Sequence, residues 1–153
     1  MEDKDFKRLY VNKMARLKNI SKKDRKLIHF KSINNLYNGL LNTRMKRKSE
    51  FFKILFLEYL DVIYEEQDLY RIVSEKYFKK YIHPIGKFLN AYDGYIYKTY
   101  LISMITIVII SLVIAFLCKC YYLPLVLTVT VFIGRFIYLK LKEKEGKIYG
   151  YKY

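Results

Sequence analysis

The chain has 153 residues, with 29 Lys and Arg against 14 Asp and Glu, a net charge of +15, and 53% apolar residues. That length holds one soluble domain of under about 100 residues plus an apolar segment. Two Cys exclude both a disulfide framework and a cysteine-rich metal site, and the absence of Trp with only six Gly and two Pro favours helix over sheet. A pI near 9.7 suits an anionic partner, either lipid headgroups or nucleic acid.

Residues 2–20 predict an amphipathic helix, because Phe6, Leu9, Tyr10, Met14, Leu17 and Ile20 fall three or four apart. Glu2, Asp3 and Asp5 near its start and Lys18 near its end complement the helix dipole. Ser21 is placed to cap a second helix over 22–41, with Asp24 three residues on as a short capping box. Leu27, Phe30, Ile33, Tyr37 and Leu40 form its stripe. Residues 22–48 hold nine basic groups and one acid. Lys22, Lys23, Arg25 and Lys26 oppose the dipole of the second helix, and Arg44, Lys46, Arg47 and Lys48 follow its end. These eight are the expected anionic-lipid-binding residues, at about 1 kcal/mol per base close to an anionic surface. RNA contact is the competing reading, but no RNA-module signature accompanies the charge, so nucleic acid is not the expected partner.

Ser49 predicts the cap of a third helix, whose residues Phe51 to Tyr64 make it the most apolar part of this half. Its pattern continues to about Ile82, with a break near Gln67-Asp68. Glu58, Asp61 and Glu65 fall on one face of it. Paired carboxylates of this kind hold divalent ions or serve as acid and base. No His lies at ligand spacing, so a solvent face or a partner for the basic stretch 22–48 is expected instead. His83-Pro84 is expected to end the long helix. Residues 84–98, with Ile85, Phe88, Leu89, Tyr92 and Ile96 at helical spacing, predict an amphipathic segment lying in a headgroup interface and bending at Asp93-Gly94.

From Leu101 to Leu117 the chain carries no charge, and a second apolar run follows from Tyr121 to Leu139. Read as helices of about 100–118 and 121–139, with Pro124 at a helix start, the two form a transmembrane hairpin over 99–139. Tyr92, Tyr95, Tyr97, Tyr100, Tyr121, Tyr122 and Tyr138 gather at the ends of the runs as interfacial anchors, and Arg135 snorkels to the nearer interface. Lys and Arg number 22 in residues 1–98 and five in residues 140–153, which places both termini in the cytosol. Met1-Glu-Asp-Lys-Asp is charged and no apolar h-region follows, so the hairpin itself is the expected targeting element. Cys118-Lys-Cys120 would then lie on the far side, which argues against S-acylation. The tail 140–153 shows no apolar stripe.

His29 and His83 stand alone, and no phosphate loop, zinc spacing or nucleophile elbow occurs, so no cofactor or metal is expected. A basic helical module followed by a tight two-helix hairpin is similar in outline to the small two-transmembrane effectors of bacterial defence systems and, more loosely, to holins. No diagnostic motif accompanies that outline. The sequence therefore predicts an all-α, multi-pass integral membrane protein. It would have a basic cytosolic domain over 1–83, an interfacial segment over 84–98, the hairpin, and a basic cytosolic tail over 140–153. The expected role is a non-enzymatic scaffold or adaptor bound to anionic lipids and to a protein partner or a second copy of itself. The alternative is a pore-forming effector whose hairpin presents Ser103, Thr106, Ser111, Thr128, Thr130 and Arg135. A membrane enzyme built on the acidic cluster is the third reading.

Overall fold

The computed structural model describes residues 1–17, 21, 24–25, 28–65, 75–98, 106, 108–111, 113–114 and 122–150. It is mostly helical. The chain divides into two units, residues 1–98 with 147–153, and residues 99–146.

In the first unit, α1 (Asp3–Arg16) starts behind an extended Glu2, with Asp3 and Asp5 in its first turn and Lys13 and Arg16 in its last. Ser21 caps as its spacing predicts: its Oγ accepts from the Asp24 amide at 3.1 Å and donates to the Asp24 carboxylate at 2.6 Å. The helix that follows is broken, however. His29 adopts a left-handed conformation (φ 56°), and α2 (Phe30–Asn42) begins after it. Next, α3 (Lys46–Glu65) starts three residues before the predicted Ser49 cap. Thr43 supplies that function, its Oγ1 accepting from the Met45 amide at 3.3 Å, while Ser49 is buried and donates to the Lys46 carbonyl at 2.7 Å.

Pro84 does not end the next helix. A short α4 (Glu75–Tyr77) passes through a π-helical turn (Phe78–Ile82) into α5 (His83–Asp93). The widened turn carries the His83 amide to the Phe78 carbonyl and removes the clash that a proline ring makes with the carbonyl four residues back. Gly94 then ends α5 in the left-handed region (φ 70°), and both its own amide and that of Tyr95, at 3.3 Å, reach back to the Leu89 carbonyl.

The helices share one core: Phe6 from α1, Ile33, Leu36 and Leu40 from α2, Phe56 and Leu60 from α3, Phe78 and Ile82 from the π turn, and Ile85 and Leu89 from α5. The segment expected in a headgroup interface thus turns its apolar face into protein: Ile85, Gly86, Phe88 and Leu89 are all buried. Tyr95 is buried too, and its hydroxyl donates to the Asn35 carbonyl at 3.0 Å.

Residues 147–150 of the expected tail also pack in this unit. Strand β1 (Ile96–Tyr97) pairs in parallel with β2 (Ile148–Tyr149), in the register Ile96 to Ile148. Ile148 and Tyr149 are both buried.

In the second unit, residues 106, 108–111 and 113–114 are helical, and α6 runs from Tyr122 to Lys144. The Thr128 hydroxyl donates to the Ser111 hydroxyl, joining the two segments. Val126, Val129, Phe132, Ile133, Phe136 and Ile137 are exposed on α6.

Among the described residues, no helix is long and apolar enough to cross a membrane. This overturns the expected multi-pass integral localisation with both termini in the cytosol, and the transmembrane hairpin loses its support with it. In α6 the stretch free of charge runs from Tyr122 to Gly134, 13 residues. At about 1.5 Å per residue that is about 20 Å, against a hydrocarbon core of about 30 Å. Arg135 is half-buried at its end, and Lys140, Lys142 and Lys144 follow. Most of the first run lies outside the described residues.

Candidate functional site

Basic and aromatic side chains meet where the turn between α2 and α3 packs against the end of α5. The turn is fixed by one carboxylate. Asp93 accepts from the Thr43 hydroxyl at 2.5 Å and from the Arg44 amide at 3.5 Å. Arg44, Lys46, Arg47 and Lys48 are all exposed around this turn. Lys48 Nζ lies 3.4 Å from the Tyr92 hydroxyl and 5.4 Å from the centre of its ring, a cation–π contact.

An aromatic row continues from that pair. Tyr92 is 5.3 Å from Phe88, Phe88 stacks on Phe52 at 4.3 Å, and Phe52 meets Phe51 edge-on at 5.4 Å. Phe88 is buried, whereas Phe51 is 65% exposed and Ile54, one turn on, is 59% exposed. Phe51 and Ile54 lie one turn apart on α3, so their exposed faces adjoin next to the bases.

Lys46 is partly occupied. Its Nζ lies 2.8 Å from Asp3, whose other oxygen holds the buried Lys53 at 2.6 Å. Hydrogen bonds from Lys46 and Lys53 hold the Asp3 carboxyl below its ordinary range. Of the other expected lipid contacts, Arg25 is exposed with its guanidinium 5.3 Å from the Phe30 ring, and Lys22, Lys23 and Lys26 lie outside the described residues.

Among the expected interfacial tyrosines, Tyr92 joins the basic turn. Tyr95 belongs to the core, and burial pushes its hydroxyl up to about 12. Tyr97 is half-buried, 5.5 Å from Tyr149 and 5.7 Å from Phe78. Tyr122 and Tyr138 are exposed in the second unit. Tyr100 and Tyr121 lie outside the described residues.

Two members of the acidic cluster, Glu58 and Asp61, have basic partners outside the stretch 22–48. Asp61 pairs with Lys13 of α1. Glu58 accepts from the Tyr81 hydroxyl at 2.8 Å and from Lys80 at 3.3 Å, and these two bonds hold its carboxyl below the ordinary range. Among the described residues, no group of three His, Cys, Asp or Glu side chains is placed to hold a metal. His29 is buried 5.5 Å from Phe78, and desolvation lowers it to about 4.

Sequence reasoning marked the bases and Tyr92 separately and missed what joins them: Thr43, Asp93 and the Phe51–Phe52–Phe88 row. The signal for the row was present, since Phe51 and Phe52 immediately follow the basic run. No family model matches the chain, and no curated protein and no solved structure matches it.

Proposed function

We propose that the chain is a non-enzymatic helical adaptor that docks on an anionic lipid surface through the basic turn and the exposed aromatic row of its first unit. The observation that carries this reading is the contact of Lys48 with Tyr92, beside exposed Phe51 and Ile54. Cations meet headgroup phosphates while the adjacent apolar side chains enter the boundary with the acyl chains. An aliphatic Ile54 offers a nucleic acid nothing to stack on, which favours lipid. A transmembrane anchor plays no part in this reading.

Arg44, Arg47 and Lys48 together contribute about 3 kcal/mol at an anionic surface, or on the order of a hundredfold in partitioning. Sedimentation of the full chain with vesicles tests this. Vesicles of phosphatidylcholine with phosphatidylserine should carry the chain down at low salt and release it as salt rises. A variant with Arg44→Gln, Arg47→Gln and Lys48→Gln should partition far more weakly. Equal binding to neutral and anionic vesicles, or a triple variant that binds like the parent, would overturn the reading.

A further inference from the structure

The chain leaves the first unit after Lys98 and returns to it at Lys147. The place of return is a groove built by three elements. From β1, the Ile96 amide donates to the Lys147 carbonyl at 2.9 Å and the Lys98 amide to the Tyr149 carbonyl at 2.8 Å. From α2, Asn35 donates its side-chain amide to the Ile148 carbonyl at 2.7 Å. Ser32 makes a reciprocal pair with Gly150, accepting from its amide at 3.1 Å and donating to its carbonyl at 3.2 Å. From α5, Gly86 leaves the space that the Tyr149 ring fills, since a methyl group there would overlap the ring. Glycine inside a helix costs about 1 kcal/mol against alanine, so α5 gives up stability to seat that ring.

Five main-chain groups and one ring of residues 147–150 are thus read, the ring against Gly86. This is how a receptor reads an extended peptide by strand addition: main-chain bonds hold it, and a pocket selects the side chain. Among the described residues this recognition lies within the four, so any copy of that segment satisfies the groove. Gly146, in the left-handed region (φ 68°), separates α6 from β2 and provides a single-residue hinge ahead of the segment.

We propose that the groove between α2, α5 and β1 is a peptide site for an extended Ile-Tyr-Gly segment, filled by residues 148–150 of the same chain and open to the same segment of a second copy. Exchange of an identical element requires no new contact, only release at Gly146 and capture by the neighbour. Capture from the same chain holds an advantage equivalent to a millimolar local concentration, so exchange grows with protein concentration.

Two full-length variants test the proposal. Tyr149→Ala empties the ring pocket and leaves the groove open. Gly86→Val closes the groove and leaves the segment free. Mixed, they should form a one-to-one complex by light scattering that neither forms alone, with a single groove and a single segment intact. No complex on mixing, with both variants folded by circular dichroism, would overturn it. Should either variant fail to fold, the unmodified full chain is incubated with a synthetic peptide of residues 146–153 up to millimolar concentration. The amides of Ile96 and Lys98 should then stay protected, since the peptide offers the same carbonyls, while the chain's own Tyr149 and Gly150 amides should exchange faster as they are displaced. The same peptide with Ala in place of Tyr149 should act at least about tenfold more weakly, the loss of one buried ring. Exchange that is indifferent to the peptide would overturn the proposal.

Discussion

Asp93 accepts the Thr43 hydroxyl at 2.5 Å across fifty residues of chain, and so ties the turn that carries the bases to the last turn of α5. Thr43 is buried. Asp93→Ala would leave its hydroxyl and the Arg44 amide without this acceptor, at a cost of about 1–3 kcal/mol. Urea denaturation should show the midpoint falling with an unchanged slope. Vesicle binding at low temperature, where the variant is still folded, should also weaken, because the bases are no longer held beside Tyr92.

Lys53 is only 2% exposed and pairs with Asp3, which is 42% exposed. The two partners should respond differently to removal. Asp3→Ala leaves a buried ammonium without its carboxylate and should destabilise the fold by about 2–3 kcal/mol, below the usual range for breaking a buried pair because Asp3 itself is partly in water. Lys53→Met removes the buried charge, keeps the volume beside Phe6, and should lie within about 1 kcal/mol of the parent. Thermal melts of the two variants decide it; equal losses would show that the pair is not asymmetric in this way.

His29 gives the fold a defined pH dependence. Burial lowers its folded-state value to about 4 from an ordinary 6.5, so the native state resists a proton that the unfolded chain accepts. Stability is therefore complete above about pH 6.5 and declines as pH falls toward 4, by on the order of 3 kcal/mol. Below that, protonation of Asp3, whose carboxyl is held low by Lys46 and Lys53, removes more. His29→Asn tolerates the left-handed backbone and does not titrate, so its stability should be flat from pH 6.5 to about 5, above the range where Glu58 and Asp3 begin to bind protons, while the parent's declines. Chemical denaturation at a series of pH values reads this directly.

Gly39 lies in the middle of α2, where a Cβ would fall 2.5 Å from the Leu89 side chain and 2.7 Å from the Tyr95 hydroxyl. Alanine would gain about 1 kcal/mol in helix propensity and lose about 1–3 kcal/mol to overpacking. Contact with a buried Tyr95 leaves little room to relax, so the second effect should win. Gly39→Ala should melt lower than the parent; a higher melting temperature would mean that α2 can shift away from α5.

Local chemistry was legible in the residues, and long-range chemistry was not. The Ser21–Asp24 cap, the stripe of α1 and the bend at Gly94 follow from spacing and backbone preference within a few positions. The left-handed His29 does not, because nothing in Lys-Leu-Ile-His-Phe forbids a continuing helix, and the Phe78 ring beside which it is buried lies far along the chain. Pro84 misled for a related reason, since a π turn absorbs a proline that an α-helix rejects. The apolar face of α5 was correctly read as amphipathic, but amphipathicity does not state whether protein or headgroups will cover it. Residues 148–150 carry only two apolar side chains, too few for any periodic signal, and their partners Ser32 and Asn35 stand more than a hundred positions away. Mid-helix Gly39 and Gly86 were the available hints, each marking a close approach. At the candidate site the bases were plain from charge alone, whereas their alignment with Tyr92 depends on Asp93 and could not be read along the chain.

The parallel pairing of Ile96 with Ile148 also bears on how the molecule is made. Synthesis is vectorial, and Ser32 must wait for Gly150, 118 positions later, before its hydroxyl finds both of its bonds. Until then the nascent first unit carries an open groove on the ribosome. Closing so distant a contact is slow compared with forming any of the helices. Trapping the emerging chain at successive lengths should show protection of the Ile96 and Lys98 amides arriving last, after α1, α2 and α3 are already protected.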